Sequence, residues 1–151
     1  MTSAHQWRDM GRTDIKELGR AIVERRLTQL GCAVARDRDA RSGRMLIRAR
    51  KTRAELYVST QRVGGYAFWT KRRLQPAADR YAVLVLLSEG EPPALYCIPT
   101  LDWLTPSRPL TDRDYVGQAS EPEWGVEVNG AALGALGRYA WTSKTDDLLS
   151  R

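Results

Sequence analysis

Three features of the 151-residue chain predict a single α/β domain. Apolar residues recur at helical spacing between Ile15 and Leu30. Met45–Arg50 and Leu56–Thr60 alternate with the two-residue period of a strand. Tyr81–Leu87 is an unbroken apolar run of strand length, the pattern of a strand covered on both faces. The expected core is therefore helix, three-stranded antiparallel meander, then further strands and a closing helix. It occupies residues 13–141, with 1–12 a flexible arm and 142–151 a polar, fraying tail.

Asp14 followed by Glu17 has the form of a capping box, so the first helix is expected to begin there and bury Ile15, Leu18, Gly19, Ile22, Val23, Leu27 and Leu30 before Gly31 stops it. Cys32–Ala35 reads as the first strand, Arg36–Gly43 as a surface loop, and Met45–Arg50 as the second strand. In Leu56–Thr60, Leu56, Val58 and Thr60 share one face and Tyr57 and Ser59 the other. Gly64-Gly65 accommodates positive φ, and the spacing predicts a tight hairpin running into a strand that ends in Lys71-Arg72-Arg73. Beyond Tyr81–Leu87, Ala94–Pro99 reads as a strand and Leu101–Leu104 as a helical turn. Thr105–Glu123 reads as a loop, Trp124–Val128 as a last strand, and Ala131–Trp141 as a helix capped by Asn129.

Composition excludes several chemistries. The hydrophobic share of 42% with 28% charged residues is that of a globular chain, and no apolar run approaches the roughly 18 to 20 residues that span a bilayer. No membrane association is expected. The N-terminus lacks a charged-then-apolar secretory pattern, and a cytoplasmic chain is expected. Cys32 and Cys97 form no C-x-x-C pair and read as free thiols; His5 is the sole histidine, so neither a zinc ligand set nor a histidine-based triad is available. The formal charge of +6 is unevenly distributed. Arg48, Arg50, Lys51 and Arg53 crowd one turn and Lys71, Arg72 and Arg73 another; placed side by side, they would form a phosphate-attracting patch.

The distributed pattern of Leu18-Gly19, Leu30-Gly31, Gly65-Tyr66-Ala67-Phe68 with its basic run, Tyr81–Leu87, Tyr96-Cys97-Ile98-Pro99 and Glu123-Trp124-Gly125-Val126 resembles small proteins of the PD-(D/E)XK, restriction-endonuclease-like superfamily, over roughly Asp14–Trp141. The resemblance implies an αβββαβ-type core with a mixed central sheet flanked by helices. It also implies an active site with an acid on the first helix, an Asp on the second strand, and a Glu or Gln two residues before a Lys on the third. Those positions hold Arg20, Met45, Tyr57 and Ser59. Without carboxylates a divalent ion has no anionic anchor, and Arg20 repels it, so no metal, no cofactor and no hydrolysis by the usual route are expected. Glu24 and Glu55 are the candidates for a migrated acidic site; Asp37 and Asp39 read as loop residues.

Three readings follow. One is a catalytically inactive nuclease-like module binding nucleic acid, DNA ahead of RNA, through Arg48, Arg50, Lys51, Arg53, Lys71, Arg72 and Arg73, with Trp69 or Tyr66 as a stacking face. Another is a protein-interaction module, including a homodimer, whose groove is lined by Met45, Tyr57 and Trp69. The third is a nuclease with migrated acids.

Overall fold

The computed structural model describes residues 6–39, 42–114 and 120–151. In chain order its elements are α1 (Gln6–Asp9), α2 (Arg12–Gln29), β1 (Ala33–Arg36), β2 (Arg44–Arg48), β3 (Arg53–Arg62), β4 (Tyr66–Thr70), β5 (Arg80–Leu87), β6 (Ala94–Pro99), β7 (Leu110–Arg113), β8 (Glu123–Glu127), α3 (Ala132–Leu136) and α4 (Ser143–Ser150). Short 3₁₀ turns cover Thr100–Leu104 and Gly137–Tyr139.

The fold is mixed α/β with two sheets. Five strands lie in the order β1-β2-β3-β5-β6: β1, β2 and β3 form the antiparallel meander, β5 runs parallel to β3, and β6 is antiparallel to β5. A second sheet has the order β4-β8-β7, antiparallel throughout.

Strand alternation explains the layering. Leu56 and Val58 of β3, with Val83, Val85 and Leu87 of β5, point to one side and pack with Ile15, Val23 and Leu27 of α2 and Leu149 of α4. Tyr57, Ala82, Leu84 and Leu86 point to the other side, against Trp69, Trp124 and Val126 of the small sheet and Leu136 of α3. The apolar run of β5 is thus covered on both faces, as its sequence predicts.

The end of α2 follows the sequence closely: the Cys32 amide donates to the Leu27 carbonyl and the Gly31 amide to that of Thr28, each at 3.0 Å, with Gly31 at φ 89°. Its start does not. The helix begins at Arg12 with Gly11 at the N-cap and no side-chain cap, so the Asp14 capping box is not formed.

Five other expectations are corrected. Gly64 (φ 97°) and Gly65 (φ 91°) do turn the chain, but not into a hairpin. The Gly64 amide donates to the Val128 carbonyl and the Val128 amide to that of Gly65, which passes β4 to β8 in the second sheet. The predicted loop after Thr105 contains β7; Tyr115–Ala119 of that loop lie outside the described residues. Asn129 does not cap α3, whose N-cap position is Ala131, and the helix ends at Leu136.

Neither end of the chain has its expected character. Residues 1–5, with His5, lie outside the described residues, but Trp7 is only 6% exposed and joins the core. The supposed tail forms α4, opened by a reciprocal capping box between Thr142 and Thr145 and anchored by Leu149, which is fully buried. Arg26 of α2 fixes α4 through a bidentate pair with Asp146, both bonds 3.1 Å. Cys32 and Cys97 are free, and they flank opposite edges of the five-stranded sheet, just before β1 and within β6, too far apart to join.

Candidate functional site

The most enclosed opening near the positions singled out in the sequence is a cleft of about 690 Å³ between the first half of α2, the second half of β3 and one face of β4. Its shape follows from two local facts. Strand β2 accompanies β3 only as far as Tyr57, so Ser59–Arg62 project past its end. Helix α2 is held close to this projecting part at Gly19, where an added Cβ would stand 1.7 Å from Thr60 Oγ1; any larger residue would push helix and strand apart.

The electrostatics of the cleft are one-sided. On α2, Arg12, Lys16 and Arg20 are spaced i, i+4, i+8 and line one wall in a row. Arg62 and Arg73 join from β3 and from the segment after β4. No Asp or Glu is among the described residues lining the cleft. Arg62 is anchored by hydrogen bonds to the carbonyls of Trp7 and Met10. Thr60 Oγ1 and Thr70 Oγ1, in the cleft walls, are buried and have no hydrogen-bond partner among the described residues.

Three of the four positions that the resemblance assigns to the motif meet here. Arg20, Tyr57 and Ser59 line the cleft, whereas Met45, 1% exposed, packs on the opposite face of the sheet in the core beneath α2. The groove of Met45, Tyr57 and Trp69 proposed for a protein partner therefore does not form as a single lining.

The migrated acids do not enter it. Glu24 pairs with Arg36 at 2.6 Å, and Glu17 holds the same guanidinium at 2.8 Å. Glu55 is held by Arg44 at 2.8 Å and Arg80 at 3.2 Å and accepts a 2.8 Å hydrogen bond from the Tyr57 hydroxyl. Burial raises the Glu55 carboxyl, but the bonds from Arg44 and Tyr57 and the two guanidinium charges outweigh it and leave the group below its ordinary range; the same burial and carboxylate push Tyr57 upward. Among the described residues no three His, Cys, Asp or Glu side chains group as metal ligands, and both candidate acids, Glu24 and Glu55, are committed to arginine.

The basic runs divide differently from the sequence expectation. Arg48, Arg50, Lys51 and Arg53 occupy the β2–β3 turn, whose backbone is tied to the end of α4: the Lys51 amide donates to the Arg151 carbonyl at 2.7 Å. At about 3.3 Å per residue, Arg53 lies about 26 Å along β3 from Gln61 in the cleft. Lys71 bonds Asp112, bonds Asp114 at 2.8 Å and lies 4.1 Å over the Trp124 ring, so it braces the second sheet. Arg72 is exposed and pairs with Glu121 at 3.3 Å. Only Arg73 of this run lines the cleft.

Trp69 is not a free stacking face either. It is 8% exposed, donates its indole N–H to the Tyr57 carbonyl at 3.1 Å and meets Trp103 edge-on at 5.6 Å. The accessible ring is Phe68, one residue earlier and therefore on the other face of β4, 49% exposed. The sequence carried both missed signals: the four-residue spacing of Arg12, Lys16 and Arg20, and the alternation that groups Tyr66, Phe68 and Thr70.

Comparison of the chain with family models, with curated proteins and with solved structures gives no match. No helix of the described residues is long and apolar enough to cross a membrane.

Proposed function

We propose that the chain is a catalytically inactive, nuclease-like module that binds nucleic acid, DNA ahead of RNA, in the cleft between α2, β3 and β4. The observation that carries this reading is the concentration of Arg12, Lys16, Arg20, Arg62 and Arg73 around a cleft with no carboxylate among its described lining residues. A cleft lined by several cations and by no carboxylate among its described residues attracts phosphodiesters, because each phosphate bound releases condensed counterions.

The restriction-endonuclease-like ancestry is part of the same proposal. A helix followed by a meander and a strand parallel to its third member supports it, as does the meeting of Arg20, Tyr57 and Ser59 in one cleft. The departure is the crossover from β3 to β5, which passes through β4 where an αβββαβ order has a helix.

The test is fluorescence anisotropy of a labelled oligonucleotide at low salt. Arg20→Gln with Arg73→Gln weakens binding about tenfold or more, and Arg50→Gln with Arg53→Gln leaves it nearly unchanged. Absence of binding by the unmodified chain, or an equal loss in both variants, overturns the proposal.

A further inference from the structure

Of the β4 rings that line the cleft, Tyr66 and Phe68 share one face of the strand and Trp69 lies on the other. Tyr66 is immobilised: its hydroxyl shares a 2.7 Å hydrogen bond with Thr111, the Arg113 guanidinium stands 3.8 Å from its ring centroid, and its phenol lies over Gly125, where an added Cβ would come within 1.5 Å of the hydroxyl oxygen. Phe68, two residues along the same face, lies nearly parallel to Tyr66, with an interplanar angle of 19° and 6.5 Å between centroids. Gly125, directly opposite Phe68 on β8, has no side chain to cover it. The result is a braced pair of aromatic rings, one of them open, lining the same cleft as the cation row of α2.

From this juxtaposition, and resting on the reading of the cleft as a nucleic-acid site, we infer that the ligand is a single strand with one unstacked base lying on Phe68 and its neighbouring phosphates on Lys16, Arg20 and Arg73. In a duplex both faces of each internal base are covered by its neighbours, so an exposed ring in a cleft wall is of use only to a base outside the stack. Charge alone would serve either form of nucleic acid; the open ring beside the cations distinguishes them. Oligo(dT) and oligo(U) share the required chemistry, a π face next to a phosphodiester.

The experiment titrates the intact chain and its Phe68→Ala and Phe68→Trp variants with oligo(dT), with oligo(U) and with a blunt duplex of equal length at one salt concentration. The expected result is a preference for one or both single strands over the duplex. Phe68→Ala weakens single-strand binding about 5- to 100-fold and leaves duplex binding unchanged, and Phe68→Trp retains the preference. The two single-strand arms identify the sugar. Duplex binding as tight as single-strand binding, with Phe68→Ala silent, overturns this inference while leaving the cleft a nucleic-acid site. No binding of any of the three overturns both readings.

Discussion

Replacing Lys16 and Arg20 together with glutamine isolates the electrostatic contribution of the α2 row. Lys16 is exposed and Arg20 half-buried on a helix whose core contacts are Ile15, Gly19, Val23 and Leu27, so the change alters charge with little effect on packing. Counting one phosphate contact for each of Arg12, Lys16, Arg20 and Arg73 in the cleft lining gives four. With about 0.7 counterions released per contact on a single strand, four contacts give a slope of about 2.8 in log Kd against log salt, and raising salt from about 50 to about 200 mM weakens binding roughly 50-fold. Removing two contacts halves the slope, and the same change in salt then weakens binding only about sevenfold. The assay is anisotropy at several salt concentrations. An unchanged slope in the double variant, or a slope near zero in the unmodified chain, would refute the assignment of phosphate contacts to the α2 row.

Three further outcomes concern the fold that shapes the cleft. Leu149→Ala destabilises the chain by about 2–4 kcal/mol in urea unfolding, because the fully buried leucine leaves a cavity under α4; a fraying tail would give almost no change. Gly19→Ala places a methyl against Thr60 and costs about 1–3 kcal/mol while weakening ligand binding by moving α2 off β3; equal stability would show that the close approach is not needed. Burial raises the Asp146 carboxyl, but hydrogen bonds from Arg26 and Trp141 outweigh it and hold the group below its usual value of 3.8. Its contribution to stability is thus complete above that value and lost as pH falls through the depressed native value. Denaturation at a series of pH values therefore shows Asp146→Asn less stable than the unmodified chain near neutrality, with the gap narrowing below about pH 4. A gap independent of pH contradicts the ion pair.

Elements with strong periodicity were legible in the sequence. The four-residue spacing of Ile15, Gly19, Val23 and Leu27 and the doubly apolar β5 leave few alternatives. The partner of β4 was not legible, because positive φ at Gly64 and Gly65 serves a hairpin and a change of sheet equally well, and the choice is made by backbone bonds to the distant Val128. Strand β7 and helix α4 were missed for the opposite reason: Leu110-Thr-Asp-Arg and Ser-Lys-Thr-Asp-Asp-Leu-Leu-Ser each offer little apolar pattern, so tertiary contacts decide their structure. At the site, the motif positions Arg20, Tyr57 and Ser59 line one cleft but Met45 does not, since it pairs with Leu56 and shares that residue's face of the sheet rather than the face of Tyr57 and Ser59. That Phe68 and not Trp69 is the open ring does not follow from residue type, which does not say which face of β4 is covered.

Under the proposed function, anionic ligand occupies the cleft of α2, β3 and β4 and not the β2–β3 turn. Backbone amide shifts of the isotopically labelled chain, followed during titration with a short oligonucleotide, test it residue by residue. Perturbations grouped at Arg12–Arg20, Ser59–Arg62 and Tyr66–Arg73 are the predicted result. Perturbations centred on Arg48–Arg53, or spread evenly over all exposed arginines, would contradict it.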